Sequence, residues 1–553
     1  MYKESEKVRQ TDIWNDPSFG MGRRTREIFE NSEGWHHRFR REVTNRVDES
    51  IFKPLYSEGK GAPNAPIRIL VAMMALKEGQ GISDEQLYEQ ARFNALIRSA
   101  LGLINSDEEV PTESTYYLFR QKISEYAECT GANLLEAAFE GITKGQCQEY
   151  QVSGKRVRMD SKLLGSNIGI YSRYGVVHEM LRKYCAANGI KAEEVKDTVL
   201  SEVLKEKAET TTYRNTKEEV ARRFEELGTI IYRLLAAGGA ERHKEYVLLK
   251  RVFEEQYEVT CGPGGGKKKI VKPRKNGEIS SKSVQSPHDE DSEYRNKGGH
   301  KVNGYSLNVV ETCDKGNLNL IVDVRTEGAA TADLDYFQEG INKAQTVVTN
   351  KVEEVYTDGV YHSPDNQEYC KQKGIEWVMR GIGGPTPKYD VSYDEEGNMV
   401  VYEIESRERI EVTKAKSRKS EGPQRWGIRD KNNKMKYFQK KDVVLCELRK
   451  RLEGIPKERL DIRNNVEATI FQVGYHYRSD KSSYRGLFKH GLWSISRCLW
   501  VNFRRIQLWC MRQAGNSVDD GEGSAEGNIV FIFFRWLLRG YRLFFGLPVL
   551  AGS

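Results

Sequence analysis

The sequence lacks the cysteine patterns of metal-binding and disulfide-bonded domains. Nine cysteines are scattered over 553 residues, with no C-x-x-C pair and no paired Cys/His spacing. Structural zinc sites and disulfide frameworks depend on such spacings. We therefore predict neither a zinc centre nor a disulfide scaffold.

The chain also lacks a signal sequence and a clear membrane-spanning run. The residues after Met1 are polar, which predicts a cytoplasmic protein. The tail at residues 529–550 is apolar, but Arg535, Arg539 and Arg542 fall on one helical face. A spanning helix needs about 20 apolar residues with few charges. We predict an amphipathic helix that packs on the protein or a partner, with membrane-surface contact as the alternative.

A phosphate-binding loop is missing as well. The glycine-rich and lysine-rich stretch at residues 262–269 does not fit G-x-x-x-x-G-K-[ST]. Residues 261–285 are therefore interpreted as a flexible basic linker.

Charge of one sign is only slightly in excess, since 87 Lys and Arg face 80 Asp and Glu, a net charge of +7. The basic residues concentrate at 267–282 and again after Glu467. The second cluster comprises Arg478, Lys481, Arg485, Lys489, Arg497, Arg504, Arg505 and Arg512. Such clusters suit a polyanion, because each phosphate neutralised releases counterions. The alternative is a solvated helix face.

Two acids follow strand-like patterns. Residues 352–357 alternate apolar and polar side chains before Asp358 and a glycine, and a second short strand pattern precedes Asp160. Ligands and metals collect at such strand ends in α/β sheets. Glu467 follows Arg463 by four residues, so the two share one helix face. Three carboxylates can hold a pair of Mg²⁺ ions beside a phosphodiester.

These motifs resemble those of a known family. Asp160-Ser161-Lys162, then Thr357-Asp358-Gly359-Val360-Tyr361, then Arg463 to Glu467 look like the DDE transposases of bacterial insertion sequences. Upstream residues from Pro54 to Arg120 are similar to the helical domain that precedes the catalytic core in these enzymes. The resemblance covers roughly residues 30–510.

The resemblance implies function and site residues. It implies an RNase H-like core that binds transposon ends as double-stranded DNA, uses two Mg²⁺ or Mn²⁺ ions, and nicks DNA before strand transfer. Asp160, Asp358 and Glu467 would be the catalytic and metal-binding acids. Residues matched to DNA contacts are Arg463, Arg478, Lys481 and Arg485. Pairing two ends favours a homodimer on DNA.

The third motif departs from the family. It usually reads Tyr, two residues, Arg, three residues, Glu, six residues, Lys. Here Leu460 stands at the Tyr position and Gly474 at the Lys position. The phosphate-contacting lysine therefore has no counterpart in this motif.

The predicted fold class is α/β, an RNase H-like mixed sheet with helical and β insertions, preceded by an all-α DNA-binding domain. A hairpin at 300–324, a helix at 333–344, the Asp358 strand and a strand at 374–379 follow the RNase H-like order. That order makes the Asp160 and Asp358 strands neighbours.

The predicted organisation has four parts with three inserted segments. The four parts are a flexible arm at 1–30, a helical DNA-binding domain at 31–145, a catalytic domain at 146–512 and a tail at 513–553. The catalytic domain contains the three inserted segments, which are a helical insertion at 172–260, the basic linker at 261–285 and a mostly β insertion at 384–455.

Two alternatives stay open for the activity. One is a decayed transposase that acts as a DNA-binding regulator. The other is a metal-dependent nuclease without strand transfer, which would share the same site.

Overall fold

The computed structural model describes residues 1–6, 14–59, 61–238, 243–261, 269–381, 387–415, 424–431, 433–474 and 481–516. It divides into a compact unit at 1–505 and a short unit at 506–553, whose described residues 506–516 are helical. Arg478 and the predicted tail helix lie outside the described residues. None of the helices in the described ranges combines the length and apolar character needed to cross a bilayer.

The N-terminal region is helical. Its helices are α1 (Arg23–Glu30), α2 (Trp35–Glu42), α3 (Ile67–Gln80), α4 (Asp84–Phe93), α5 (Ala95–Leu101), α6 (Glu113–Thr130) and α7 (Leu134–Glu149). Helix α3 ends before Gly81, which has a left-handed backbone with φ of 67°. The predicted capping box of Ser83 and Gln86 starts α4. Most of α3 is buried, so it is the central helix of this region.

The prediction of a flexible arm at 1–30 is wrong for its described part. Ser5 donates hydrogen bonds from its backbone nitrogen and its hydroxyl to the Glu49 carboxylate, both at 2.7 Å. The backbone nitrogen of Lys3 bonds the Asn64 side chain, and residues 23–30 form α1. A polar segment can be ordered by such bonds without an apolar pattern.

The first strand of the central sheet, β1 (Arg156–Gly165), is followed by five helices and a hairpin. They are α8 (Arg173–Ala187), α9 (Thr198–Lys205), α10 (Ala208–Arg214), α11 (Lys217–Ala237), α12 (Lys244–Gln256), β2 (Tyr257–Cys261) and β3 (Lys269–Pro273). The helices enclose their own apolar cluster, which includes Val177, Leu181, Leu227, Ile231 and Leu249.

The flexible-linker prediction for 261–285 is wrong for its described residues. Strand β3 pairs antiparallel with β2, with Val259 opposite Val271, and residues 276–278 form a turn of 3-10 helix. Val271 packs against the apolar cluster of the inserted helices. The linker prediction rested on composition, and the high lysine content of this segment did not indicate a β-strand.

The central sheet contains β1, β4 (Glu293–Lys297), β5 (His300–Thr312), β6 (Ile321–Gly328), β7 (Glu354–Thr357) and β8 (Glu376–Met379). Strand β5 pairs antiparallel with β1 on one edge and with β4 and β6 on the other. Strands β1, β7 and β8 run parallel. This is the predicted RNase H-like order, and β1 does pair with β7.

Helices α13 (Phe337–Val347) and α14 (Pro364–Lys373) connect the strands around β7. One hydrophobic core joins the sheet to the N-terminal helices: Leu164, Leu307 and Val309 belong to the same buried cluster as Phe39 and Leu76. The helical region therefore folds against the sheet within one compact unit.

The second insertion contains β9 (Tyr389–Tyr393), β10 (Met399–Glu403), β11 (Arg409–Ile410), β12 (Thr413–Ala415), β13 (Arg425–Arg429), β14 (Met435–Phe438) and α15 (Lys440–Glu453). The strands form two three-stranded sheets. The last element of this insertion is a helix, α15, which places Val443 and Cys446 on the apolar core of these strands.

Two long helices complete the described chain, α16 (Lys457–Gly474) and α17 (Leu487–Asn516). Helix α16 lies against β1, β7 and β8. Its residues Leu460 and Ile462 pack on Tyr356 and Val378. Packing against the sheet therefore sets the orientation of α16, and with it the direction of the Arg463 and Glu467 side chains.

Candidate active site

Asp160 and Asp358 occupy matched positions on neighbouring parallel strands. Arg158 of β1 lies opposite Tyr356 of β7, and continuing this register by two residues aligns Asp160 with Asp358. Asp358 follows the last residue of β7 directly. Because side chains alternate along a strand, both acids project from the same sheet face as Arg158.

The prediction that Asp160 ends its strand is wrong. Strand β1 continues to Gly165, because its other edge stays paired with β5 as far as Gly304. Asp160 lies two residues beyond the last β1 residue paired with β7, Arg158, so it still meets Asp358.

The guanidinium of Arg463 joins the three predicted acids. Its Nη2 lies 3.3 Å from Asp160 Oδ2 and 3.7 Å from Asp358 Oδ2, and its Nη1 lies 3.6 Å from Glu467 Oε1. The Arg463 side chain is 12 % exposed, whereas that of Glu467 is 65 % exposed. The structure therefore brings Asp160, Asp358, Glu467 and Arg463 together, with a cation among the carboxylates.

A buried ionic network holds α16 at this position. Arg158 donates from Nε to Glu311 Oε1 at 2.6 Å and from Nη1 to the backbone oxygen of Ile462 at 2.8 Å. Thr469 and Arg505 each approach Glu311 Oε2 at 2.7 Å. Burial acts to raise the pKa of Glu311, but Arg505 and Arg158 hold it below its ordinary value.

Sequence reasoning missed this network. Ile462 precedes Arg463, and Thr469 lies two residues after Glu467. The network therefore bonds to α16 both before and after the Arg463–Glu467 pair. The available signal was a charged residue between the buried Val157 and Met159 of β1. A charge inside an apolar strand usually has a partner.

A surface ion cluster anchors the start of α16. Arg459 approaches Glu354 of β7 and Glu376 of β8, both at 2.9 Å. Next to it, Leu460 packs into the apolar cluster on the sheet. The departure from tyrosine at this position is therefore accommodated by apolar packing.

Charge and burial shape the acidity of Asp160. Burial raises the pKa of this carboxyl group, and Arg463, the Ser161 backbone nitrogen and Lys297 act in the opposite direction. Asp160 Oδ1 accepts a hydrogen bond from the Ser161 nitrogen at 2.9 Å. Asp358 Oδ1 accepts one from the Gly359 nitrogen at 2.7 Å.

The donor set consists of carboxylate oxygens, which hard cations such as Mg²⁺ prefer. Among the described residues, no group of three or more His, Cys, Asp and Glu side chains lies close enough together to hold a metal ion. The three acids each contact Arg463 instead. Their chemistry fits a divalent ion, and their present arrangement is organised by a guanidinium.

Two predicted DNA contacts brace the loop after β1. Lys481 donates from Nζ to the Ile168 backbone oxygen at 2.7 Å, and Arg485 donates from Nε to the Asn167 backbone oxygen at 2.7 Å. The Asn167 nitrogen bonds the Tyr484 backbone oxygen at 2.9 Å. Residues 481–486 and 165–168 thus form one bonded pair of segments.

Part of the basic cluster after Glu467 serves internal packing. Arg497 is buried and donates to the backbone oxygens of Val473, Glu78 and Gly79. Arg505 binds Glu311, as described above. Arg497 links three helices, Arg505 links α17 to β5, and neither lies on a solvated helix face.

The predicted DNA-binding helices make a mixed surface. Glu85, Glu89 and Arg92 are exposed on α4, so this helix presents two acids and one base among its exposed charges. Lys77, at the end of α3, donates from Nζ to the Tyr484 hydroxyl at 2.9 Å. The DNA-binding role of residues 31–145 stays a prediction.

Two family models match the sequence. The model described as Transposase domain (DUF772) matches residues 27–122, and the Transposase DDE domain matches residues 272–503. Together they cover more than half of the chain. The second match includes Asp358 and Glu467. Asp160 lies before the start of this match, and the helical insertion separates the two. No curated protein and no solved structure was found to match.

Proposed function

Because the chain belongs to the DDE transposases of insertion sequences, we propose that it binds the ends of a mobile element and cleaves and transfers DNA there. Asp160, Asp358 and Glu467 are the acids that carry the reaction. The observation that supports this assignment is their common contact with Arg463, although they lie far apart in the sequence.

Transposases of this family generally use divalent metal ions. Asp160 and Asp358 would hold two Mg²⁺ or Mn²⁺ ions, and Glu467 would complete the oxygen set. Such ions supply an activated water and stabilise charge on the leaving oxygen. Arg463 pairs with each of these carboxylates and so holds them in one charge cluster.

The reaction has two displacements at phosphorus. In the first, a water oxygen bonds to the scissile phosphorus, the bond to the 3′ oxygen breaks, and the water loses its proton to solvent. In the second, the freed 3′-hydroxyl of the element bonds to a target phosphorus and displaces the target 3′ oxygen. The number of phosphodiester bonds is unchanged by the second step.

Cations beside the acids would bind the DNA backbone. Arg463, Lys481 and Arg485 are the described candidates, with Arg478 as a further one from the sequence. Arg485 uses its Nε in a backbone bond, so its terminal nitrogens are the ones that would meet a phosphate. Because two ends must be paired, we propose a homodimer on DNA.

One observation favours an alternative without cleavage. The described acids do not form a cluster with metal-binding spacing, and Gly474 stands in place of the motif lysine. A decayed transposase that still binds DNA as a regulator would have these features. A nuclease would keep the site and yield no joined products.

A nicking assay distinguishes the three candidate functions, which are a transposase, a DNA-binding regulator and a nuclease. The full-length protein is incubated with a labelled duplex that carries the DNA flanking its coding region, with Mg²⁺, with Mn²⁺ or with EDTA. The proposal predicts metal-dependent nicks at the element ends and joined products with a target plasmid. Nicks without joining indicate a nuclease, and DNA binding without nicks indicates a regulator. Glu395→Gln, an exposed acid of the β insertion, is the control that should retain activity.

A further inference from the structure

A lysine from another element lies beside the position of the motif lysine. Gly474 ends α16, and a Cβ built on it would lie 3.4 Å from Lys162 Nζ and 4.0 Å from Lys162 Cε. Lys162 belongs to β1, more than 300 positions upstream. The ammonium therefore lies in van der Waals contact with the point where a side chain on residue 474 would begin.

Both residues are on the active-site side of their elements. Lys162 follows Asp160 by two positions in one strand, so the two side chains project from the same sheet face. Gly474 follows Glu467 by seven positions, almost two full turns of helix, so they share one face of α16. Lys162 and Gly474 therefore lie along the same strand-to-helix seam as the acids.

The contacts along this seam follow one order. Arg158 bonds the backbone of Ile462, Asp160 meets Arg463, and Lys162 meets Gly474. Successive residues on one face of β1 thus meet successive parts of α16. The Lys162 ammonium lies beside Gly474, 3.4 Å from where its Cβ would be.

We propose that Lys162 binds a non-bridging phosphate oxygen of the cleaved DNA strand, next to the scissile phosphate, in place of a lysine carried by α16. A DNA strand that approaches three carboxylates needs cations at its flanks, because phosphates and acids repel. Arg463 and Lys162 supply two such charges along the seam. The proposal rests on the proposed DNA cleavage.

A purely structural role for Lys162 is the competing account. A cation near the last turn of a helix is stabilised by the partial negative charge of its carbonyl groups. Such a role would affect folding stability and leave DNA affinity and its salt dependence unchanged.

The test moves the charge from the strand to the helix. Lys162→Met, Lys162→Arg and the double variant Lys162→Met with Gly474→Lys are prepared in the full-length chain. Nicking kinetics, DNA affinity against salt concentration, and urea unfolding are measured on each. Lys162→Met should cut at least about tenfold more slowly and lower the salt slope of DNA binding by about one. The double variant should recover both the nicking rate and the salt slope of DNA binding. Lys162→Arg should retain most of the salt slope.

Two results overturn the proposal. One is wild-type nicking and an unchanged salt slope in Lys162→Met. The other is a loss of nicking that follows a loss of unfolding stability and is not recovered by the lysine at 474. If the wild-type protein does not nick DNA, the proposed function fails, and the salt slope still tests Lys162 as a phosphate contact.

Discussion

Asp160 and Asp358 sit side by side on parallel strands although 198 positions separate them, and both contact Nη2 of Arg463. The pairing of β1 with β7 sets this relationship, so the two acids are fixed by backbone hydrogen bonds rather than by their side chains. Glu467 differs, since it is carried by a helix that side chains hold in place.

Glu467→Gln tests the helix-borne acid. Loss of one carboxylate charge from a metal site should reduce nicking by about a hundredfold or more, because even indirect partners of metal ligands change activity by about 10–100-fold. DNA binding should be retained, since Glu467 repels phosphates. Nicking rates with Mg²⁺ and a gel-shift assay measure both. If Glu467→Gln has no effect, the third acid would have to be another glutamate of the neighbouring helices, such as Glu453 at the end of α15 or Glu458 at the start of α16.

Arg485→Ala tests the proposed backbone contact. The variant should weaken binding to DNA of any sequence by a similar factor, and it should reduce the salt slope by about one. Binding isotherms with two unrelated duplexes at several salt concentrations provide the measurement. Arg222→Ala, an exposed arginine of the helical insertion, is the matched control. Equal salt slopes for the two variants would remove Arg485 from the interface.

Glu311→Gln tests the network that positions α16. Breaking a buried ion pair by removing one charge costs about 3–5 kcal/mol, because the partner charge stays buried. The pKa of Glu311 is lowered in the folded state, so its stabilising effect is present above the ordinary glutamate pKa and is lost as the pH falls through the folded value. Urea unfolding at neutral pH should reveal the loss. Glu226→Gln, from an exposed pair, should change stability by less than about 1 kcal/mol.

Asp323→Asn tests a buried acid away from the site. Burial raises the pKa of Asp323 to about 7, and Oδ2 has no hydrogen-bond partner within the described part of the chain. The unfolded acid titrates near pH 4, so the contribution of Asp323 to wild-type stability should fall as the pH rises from about 4 to 7, by on the order of 1 kcal/mol per pH unit.

The Asp323→Asn variant should lose this pH dependence, and Asp107→Asn, an exposed acid, should keep it. Urea unfolding at a series of pH values is the measurement. A variant with the wild-type slope would mean that Asp323 is ionised in the folded protein.

The sheet was predictable because its strands carry local patterns. Alternation at Tyr305, Leu307 and Val309 identifies β5, and the Asp-Gly pair after β7 marks a strand end. The RNase H-like order then placed β1 beside β7. The end of β1 was mispredicted because its length depends on pairing with β5, which a local pattern does not contain.

The contacts around the acids could not be predicted from the sequence. Arg463 could be placed on one face with Glu467 but not between Asp160 and Asp358, since that depends on how α16 docks. Docking depends on Arg158 and Glu311, two charges that meet only after the sheet forms. The ordered residues before Glu49 were missed for the same reason, because polar bonds between distant segments leave no periodic pattern.

Titration with Mn²⁺ is the most direct measurement of the central claim, that Asp160 and Asp358 together bind the divalent ions. Calorimetry on the full-length protein with DNA should give saturable binding, weakened at least about tenfold by Asp160→Asn and by Asp358→Asn and unchanged by Glu395→Gln. The same two variants should lose nicking while they still bind DNA. Wild-type Mn²⁺ affinity and wild-type nicking in either aspartate variant would contradict the account.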